Sequence, residues 1–208
     1  MSETFTLAGR TFPYQVSDYN GTRQNERAVE VPVGLFLLGQ ATNGDASVLE
    51  VGAVLPHYRV GWPDDGHTVI DLHEEYPGVT NADVLTWQPG NQFDLIICIS
   101  TLDHLHDMEE LVDALRGLRR WLAPGGLLFV TLPYGQPAWV GGGPWVDRFV
   151  LGENDAAACW RMDKTDPVRH LWEQIEDDRP PLAYNGQSPA ANTVYMLLWG
   201  DVGRWWGT

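Results

Sequence analysis

The sequence predicts an α/β domain: a doubly wound, mostly parallel sheet with helices on both faces. Three observations predict it. Short apolar runs at 47–52, 68–72, 93–100 and 126–132 are separated by turns and helical stretches, and strands alternating with helices pair in parallel. The run Phe93-Asp94-Leu95-Ile96-Ile97-Cys98-Ile99-Ser100 is almost wholly apolar, as a strand covered on both faces is. Finally, 208 residues at 44% hydrophobic and 20% charged suffice for one domain with a real core.

Each element follows in order. Residues 4–16 alternate polar and apolar around Ala8-Gly9-Arg10 and read as a small hairpin or extended arm. Helical spacing runs from Thr22 to about Gln40, with Ala28, Val31, Leu35 and Leu38 recurring on one stripe. Pro32 places a kink or restart inside it. After the turn Thr42-Asn43-Gly44-Asp45 comes a buried strand that ends in Gly52, then a second that ends near Asp71. The strand at 93–100 precedes a clean helical stripe of Met108, Leu111, Val112, Leu115, Leu118 and Leu122, stopped by Pro124-Gly125-Gly126. A strand at 126–132, a Gly-, Pro- and Trp-rich loop at 134–148, a helix over about Ala156–Asp178 and a last strand at 193–199 complete the chain. Trp205-Trp206 is either a tail folded back on the domain or an interface patch.

The charge narrows the function. Lys and Arg total 13 against 28 Asp and Glu, a formal charge of −15, which repels phosphate backbones and disfavours nucleic acid as partner. Arg116, Arg119 and Arg120 are the visible basic cluster and read as one face of a helix. The longest apolar run, Val33 to Leu38, is far too short to span a bilayer, and no signal peptide is read at the N-terminus. Cys98 and Cys159 lie in different contexts without metal spacing, so a reduced, cytoplasmic protein is expected.

In a doubly wound sheet the ligand sits beyond the carboxyl ends of the strands, which singles out Gly52, Asp71, Asp83, Ser100 to His104 and Pro133 to Gly135. A dinucleotide site wants G-x-G-x-x-G so that backbone N–H groups cradle pyrophosphate. Here Gly52 alone survives, Pro56 removes a donor, and Gly61, Pro63 and Gly66 argue against a long crossover helix. Asp71 lies nineteen positions beyond Gly52, where a ribose-binding carboxylate belongs. A cofactor with a ribose but no phosphate fits both facts best, and S-adenosylmethionine has that character.

Val48-Leu49-Glu50-Val51-Gly52, Val69-Ile70-Asp71 and Asn81-Ala82-Asp83-Val84 resemble the first three signature regions of class I S-adenosylmethionine-dependent methyltransferases. Phe93 to Leu105 and Leu118-Arg119-Arg120-Trp121-Leu122-Ala123-Pro124-Gly125-Gly126 complete the series over roughly 47–135. The upstream Arg23 to Glu30 resembles a segment found in a poorly characterised bacterial and phage branch. The resemblance implies a Rossmann-like methyltransferase fold with an antiparallel last strand. It divides a single domain into an arm and helix (1–46), a cofactor-binding core (47–135) and an acceptor-side loop, helix and last strand (136–208). It further implies Glu50 and Gly52 at the methionine moiety, Asp71 at the ribose, Asp83 and Val84 at the adenine, and Ser100 and Thr101 near the cofactor tail or sulfonium. The departures are Val54 and Pro56 where further glycines are usual.

Glu50 inside an apolar strand must be paired or hydrogen-bonded, whereas Asp71 and Asp83 also suit ordinary caps and turns. His104 is the candidate general base, expected at the start of the helix after the third strand with Asp103 as its cap. His57 ranks below it, and His67, His73 and His170 read as surface residues. His104, His106, Asp103 and Asp107 do not read as a metal site, since neighbours on a helix cannot all face one point. Trp139 and Trp145 are candidates for a lid over the acceptor. The expected reaction is methyl transfer to a small-molecule or glycan acceptor, with a homodimer left open. The rivals are a catalytically silent binding or assembly protein on the same fold and a nicotinamide-dependent oxidoreductase, which the missing glycines oppose.

Overall fold

A computed structural model describes residues 3–42, 45–59, 66–134, 158–176 and 191–207. The proposed lid with Trp139 and Trp145 lies outside them. The hairpin at the start forms as expected: β1 (Thr4–Leu7) and β2 (Arg10–Pro13) pair antiparallel across Ala8-Gly9, both at positive φ, as a tight two-residue hairpin turn requires. Helix α1 (Arg27–Thr42) follows a 3-10 turn at Tyr19–Gln24. It runs through Pro32 as one helix. The proline cannot bond the carbonyl of Ala28, and Gln15 N–H takes that carbonyl at 3.0 Å instead.

The central sheet contains β3 (Val48–Val51), β4 (His67–Asp71), β5 (Val79–Asn81), β6 (Phe93–Ile99), β7 (Leu122–Tyr134), β8 (Ala158–Asp166), β9 (Leu171–Ile175) and β10 (Thr193–Gly200). Their order is β5-β4-β3-β6-β7-β10-β8-β9. From β5 to β7 every pairing is parallel, and β10 runs antiparallel between β7 and β8. The mostly parallel sheet with an antiparallel last strand is therefore the one the sequence implies.

Among the described residues, 158–176 do not form the helix expected over about Ala156–Asp178. The segment is an antiparallel hairpin of β8 and β9. Asp166 closes its turn, its Oδ1 accepting from Val168 N–H and Arg169 N–H at 2.9 Å each. Buried Arg161, Asp163 and Lys164 in this hairpin mimic the polar positions of an amphipathic helix. Pairing with β10 settles it as strand, tertiary context overriding local pattern.

Two layers cover the sheet. On β6, Leu95, Ile97 and Ile99 face α1 and pack with Val29, Val33 and Leu37, while Ile96 and Cys98 face the other way, toward α2 (Met108–Trp121) and its Leu111, Leu115 and Leu118. This is the period of two of a strand buried on both faces. Asp107 caps α2, accepting from Glu109 and Glu110 N–H at 2.9 and 3.0 Å, and Glu110 accepts from the N–H of His106, one residue before the cap, at 2.7 Å. The tail helix α3 (Val202–Trp206) folds back: Trp205 and Trp206 are buried, and Arg10 donates to the Trp206 carbonyl at 2.6 Å. No helix among the described residues is long and apolar enough to cross a membrane.

Candidate active site

The carboxyl ends of β3, β4 and β6 and the turn after β5 surround a cavity of about 350 Å³. Gly52, Asp71, Asp83, Val84, Thr101 and His104 line it, along with the apolar Val51, Ile70, Leu72, Leu102 and Leu105. Six of the eight residues singled out by sequence therefore meet in one place. Leu72, 56% exposed, gives the cavity an apolar surface that the described residues leave open.

Gly52 stands at φ +83°, and a Cβ there would lie 1.9 Å from Thr101 Oγ1. The turn and the close approach of the β6 end both require glycine at this position. Asp71 is half-buried and accepts Ala53 N–H at 3.2 Å on Oδ2, and His73 and Glu74 N–H at 2.8 Å on Oδ1. Burial alone would raise its carboxyl, but the backbone donors of His73, Glu74 and Ala53 hold it below the usual carboxylate range. Asp83 shapes its own turn, accepting Leu85 N–H at 2.9 Å.

Two of the eight do not line the cavity. Glu50 is fully buried. Its Oε1 accepts Val54 and Leu55 N–H at 2.8 and 2.7 Å, and its Oε2 lies 3.2 Å from His67 Nε2. His67 is thus a buried partner, not the surface residue its position suggests. Ser100, buried at φ +38°, donates its hydroxyl to Glu30 Oε1 at 2.5 Å. The loop after β3 has consequently given the N–H groups of Ala53, Val54 and Leu55 to Asp71 and Glu50. No cradle for pyrophosphate is left there, whereas an uncharged ribose and an amino-acid tail need none.

His104 sits in a 3-10 turn, Leu102–His104, four residues before α2, so the expected helix start is displaced and Asp107 takes the capping role given to Asp103. Its side chain is 60% exposed, with Nε2 4.0 Å from Asp103 Oδ2. His57 lies off the cavity lining. Its ring stacks on Tyr19 with centroids 4.3 Å apart, and its Nε2 is 3.1 Å from Glu74 Oε2.

Sequence reasoning missed a polar cluster behind this turn. Arg27 donates to the carbonyls of Ile99 and Ser100 at 2.9 and 3.3 Å, and lies 3.6 Å from Glu30. Glu26 accepts Ala191 N–H at 3.1 Å. Burial, then the Glu30 carboxylate, push Glu26 up to about 7. Burial likewise raises Glu30, against the opposing pull of Arg27, Ser100 and Thr131, and raises Asp103 against His104 and Arg27. The signal was present in the spacing: Glu26 and Glu30 share a helical face with Val33 and Leu37, which places two carboxylates on an apolar stripe.

A search of curated proteins finds no match to the sequence. Among solved structures, the N-methyltransferase NodS from Bradyrhizobium japonicum WM9, crystallised with S-adenosyl-l-homocysteine, is 19% identical. The match covers 88% of this chain and 93% of that one, with a TM-score of 0.53, and likeness at that identity speaks to fold alone. The sugar N-methyltransferase KedS8 from Streptoalloteichus sp ATCC 53650 is 21% identical over 65% of this chain and 60% of its own, at a TM-score of 0.41. The family model described as a methyltransferase domain matches residues 26–182. That span takes in α1, the whole cavity and the β8–β9 hairpin, and the chain belongs to the methyltransferase domain family.

Proposed function

We propose that the protein transfers a methyl group from S-adenosylmethionine to a small-molecule or glycan acceptor. The observation that carries the reading is the convergence of Gly52, Asp71, Asp83, Val84, Thr101 and His104 on one cavity at the carboxyl edge. The residues fit this cofactor. The cavity is part apolar, its amide donors are already spent on Glu50 and Asp71, and Asp71 is held ionised as an acceptor for ribose hydroxyls. Asp83 and Val84 take the adenine, and Gly52 and Thr101 the methionine end. Glu50 acts through the loop it ties down, and Ser100 through the turn that carries Thr101.

When bound, the cofactor supplies an activated methyl carbon on a sulfonium. The chain's part is to align the acceptor and exclude water. His104, at the cavity rim, accepts the proton of a hydroxyl or ammonium acceptor where one must be removed. The NodS structure is described as that of an N-methyltransferase and KedS8 as a sugar N-methyltransferase, and a small acceptor accords with both. A reducing, cytoplasmic setting is part of this reading and accords with Cys98 on β6 and Cys159 on β8, which have β7 and β10 between them.

Calorimetry with S-adenosylmethionine and with NAD tests the reading. Binding of the first and not the second is expected. Binding of NAD would overturn it in favour of an oxidoreductase. Binding of neither would favour the silent binding protein, for which the single glycine of the loop is the supporting feature.

A further inference from the structure

The carboxyl edge carries a second cavity, away from the first. Strand β10 runs antiparallel to both β7 and β8, so β8 is parallel to β7 and its end at Asp166 lies on the same rim as the ends of β3, β4 and β6. There, between the chain leaving the N-terminal hairpin (Tyr14, Gln15, Val16), Arg23 and Ala28 at the entry to α1, and Arg169-His170 in the β8–β9 turn, is a pocket of about 370 Å³. Arg23, Arg169 and His170 line it against one carboxylate, Glu3, in a chain where acidic residues outnumber Lys and Arg by 28 to 13. The basic groups come from segments almost 150 residues apart and meet only through the fold.

His170 is held at φ +57°, a left-handed conformation uncommon outside glycine, though histidine, like asparagine and aspartate, adopts it more readily than most residues. Its Nδ1 is buried and has no hydrogen-bond partner among the described residues. Burial, Lys164 and Arg23 hold the imidazole below its usual pKa, with Asp166 opposing. The other charges are partly committed: Lys164 donates to the Gln24 carbonyl at 2.5 Å, and Arg169 faces Asp166 at 3.9 Å. Val16 in the lining is 61% exposed, and Val168, next to the lining residue Arg169 in the β8–β9 turn, is 86% exposed.

We infer that this pocket binds an oxyanion, a carboxylate or phosphate monoester, between the guanidinium groups of Arg23 and Arg169 and the His170 imidazole, with Val16 and Val168 flanking the apolar body that bears it. Planar guanidinium donors suit such oxygens, and an anion beside His170 supplies an acceptor for a protonated ring. Two sources share the chemistry: a free anion, or the anionic group of the methyl acceptor. Strand β8 lies three strand spacings of about 4.8 Å each from β6, so an acceptor that spanned both places would have to be an extended molecule.

The test is a titration of the full chain, isotopically labelled at histidine, with inorganic phosphate at constant ionic strength. Phosphate at about 1–10 mM, as expected for so small a ligand, should shift the His170 ring resonances and raise the pH at which it titrates. Arg23→Gln and Arg169→Gln, both at exposed positions, should each weaken phosphate about tenfold, and Glu3→Gln should strengthen it. Chloride at the same ionic strength should do none of this. An equal response to chloride, no response to about 50 mM phosphate, or unchanged affinity in both arginine variants overturns the site. Phosphate that competes with the acceptor in turnover assigns the anion to the acceptor; phosphate that binds without competing assigns it to a free ligand. Failure of S-adenosylmethionine to bind would sink the methyl-transfer reading and leave this titration intact.

Discussion

Gly52 and Asp71 act at the scale of single atoms. Gly52 lets the β6 end close to contact distance, and Asp71 gathers three backbone donors while keeping acceptor capacity toward the cavity. Removing the carboxylate in Asp71→Ala should weaken S-adenosylmethionine by about one to two decades, since hydrogen bonds to a charged group contribute roughly 1.5–3 kcal/mol. Calorimetry on protein shown to be folded by circular dichroism reads it, and wild-type affinity would remove Asp71 from the ribose. Asp71→Asn, whose single oxygen can still accept from His73 and Glu74 N–H while its NH2 faces Ala53 N–H, should fall between. For His104→Ala, exposed and away from the core, the expected loss is about 10²–10⁴ in kcat with cofactor affinity unchanged and the acidic limb of the kcat pH profile flattened. A variant that instead loses cofactor affinity and keeps its pH profile would mark His104 as a shaping residue of the turn.

Helix α1 joins the site to the core at the scale of elements. Its first turn reaches the β6 carbonyls through Arg27, and its buried carboxylates sit where the helix has no polar face to spare. Glu26 is raised from 4.5 to about 7, so between those values the folded chain holds a proton that the unfolded chain has lost. Stability therefore falls as pH rises through that window. Glu26→Gln keeps an oxygen for Ala191 N–H and removes the penalty. Urea midpoints should show it stabilised at pH 8, on the order of 2–3 kcal/mol, and nearly unchanged at pH 5; a variant that is equally or less stable at pH 8 would contradict the buried-acid account. How much of this the sequence revealed depended on whether the signal was local. The almost wholly apolar β6 and the Ala8-Gly9 turn are written in adjacent residues, whereas the cap of α2, expected at Asp103, falls at Asp107. The β8–β9 hairpin was not so written, because its buried Arg161, Asp163 and Lys164 make sense only beside β10 and α1. The site divided in the same way. Strand-end residues were legible because the architecture marks strand ends, while the contact of Glu50 with His67 and the hydrogen bond of Ser100 to Glu30 cross between elements.

Taken as a whole molecule, the sheet is two halves joined at β10. The parallel half, β5 to β7, is continuous, and β8 with β9 reaches it only through the antiparallel strand between them. The tail beyond β10 then clamps the N-terminal hairpin, where the Trp206 ring lies 5.8 Å from Phe12, 5.6 Å from Phe36 and 4.5 Å from Trp160. Order of synthesis gives this arrangement a cost. A ribosome releases β7, then β8 and β9, before Thr193–Gly200 exists to pair them, so two strand edges wait unpaired for the same late segment. Non-local pairing of this kind is slow and leaves the nascent chain open to aggregation. Chains stalled before Thr193 should be cut by protease within 158–176, and chains extended through Trp206 should resist. Protection that arrives before β10 emerges would mean the hairpin docks on its own. The strand that completes the sheet is therefore also its checkpoint, and a cell that slows translation near the end would prolong the exposure of both edges.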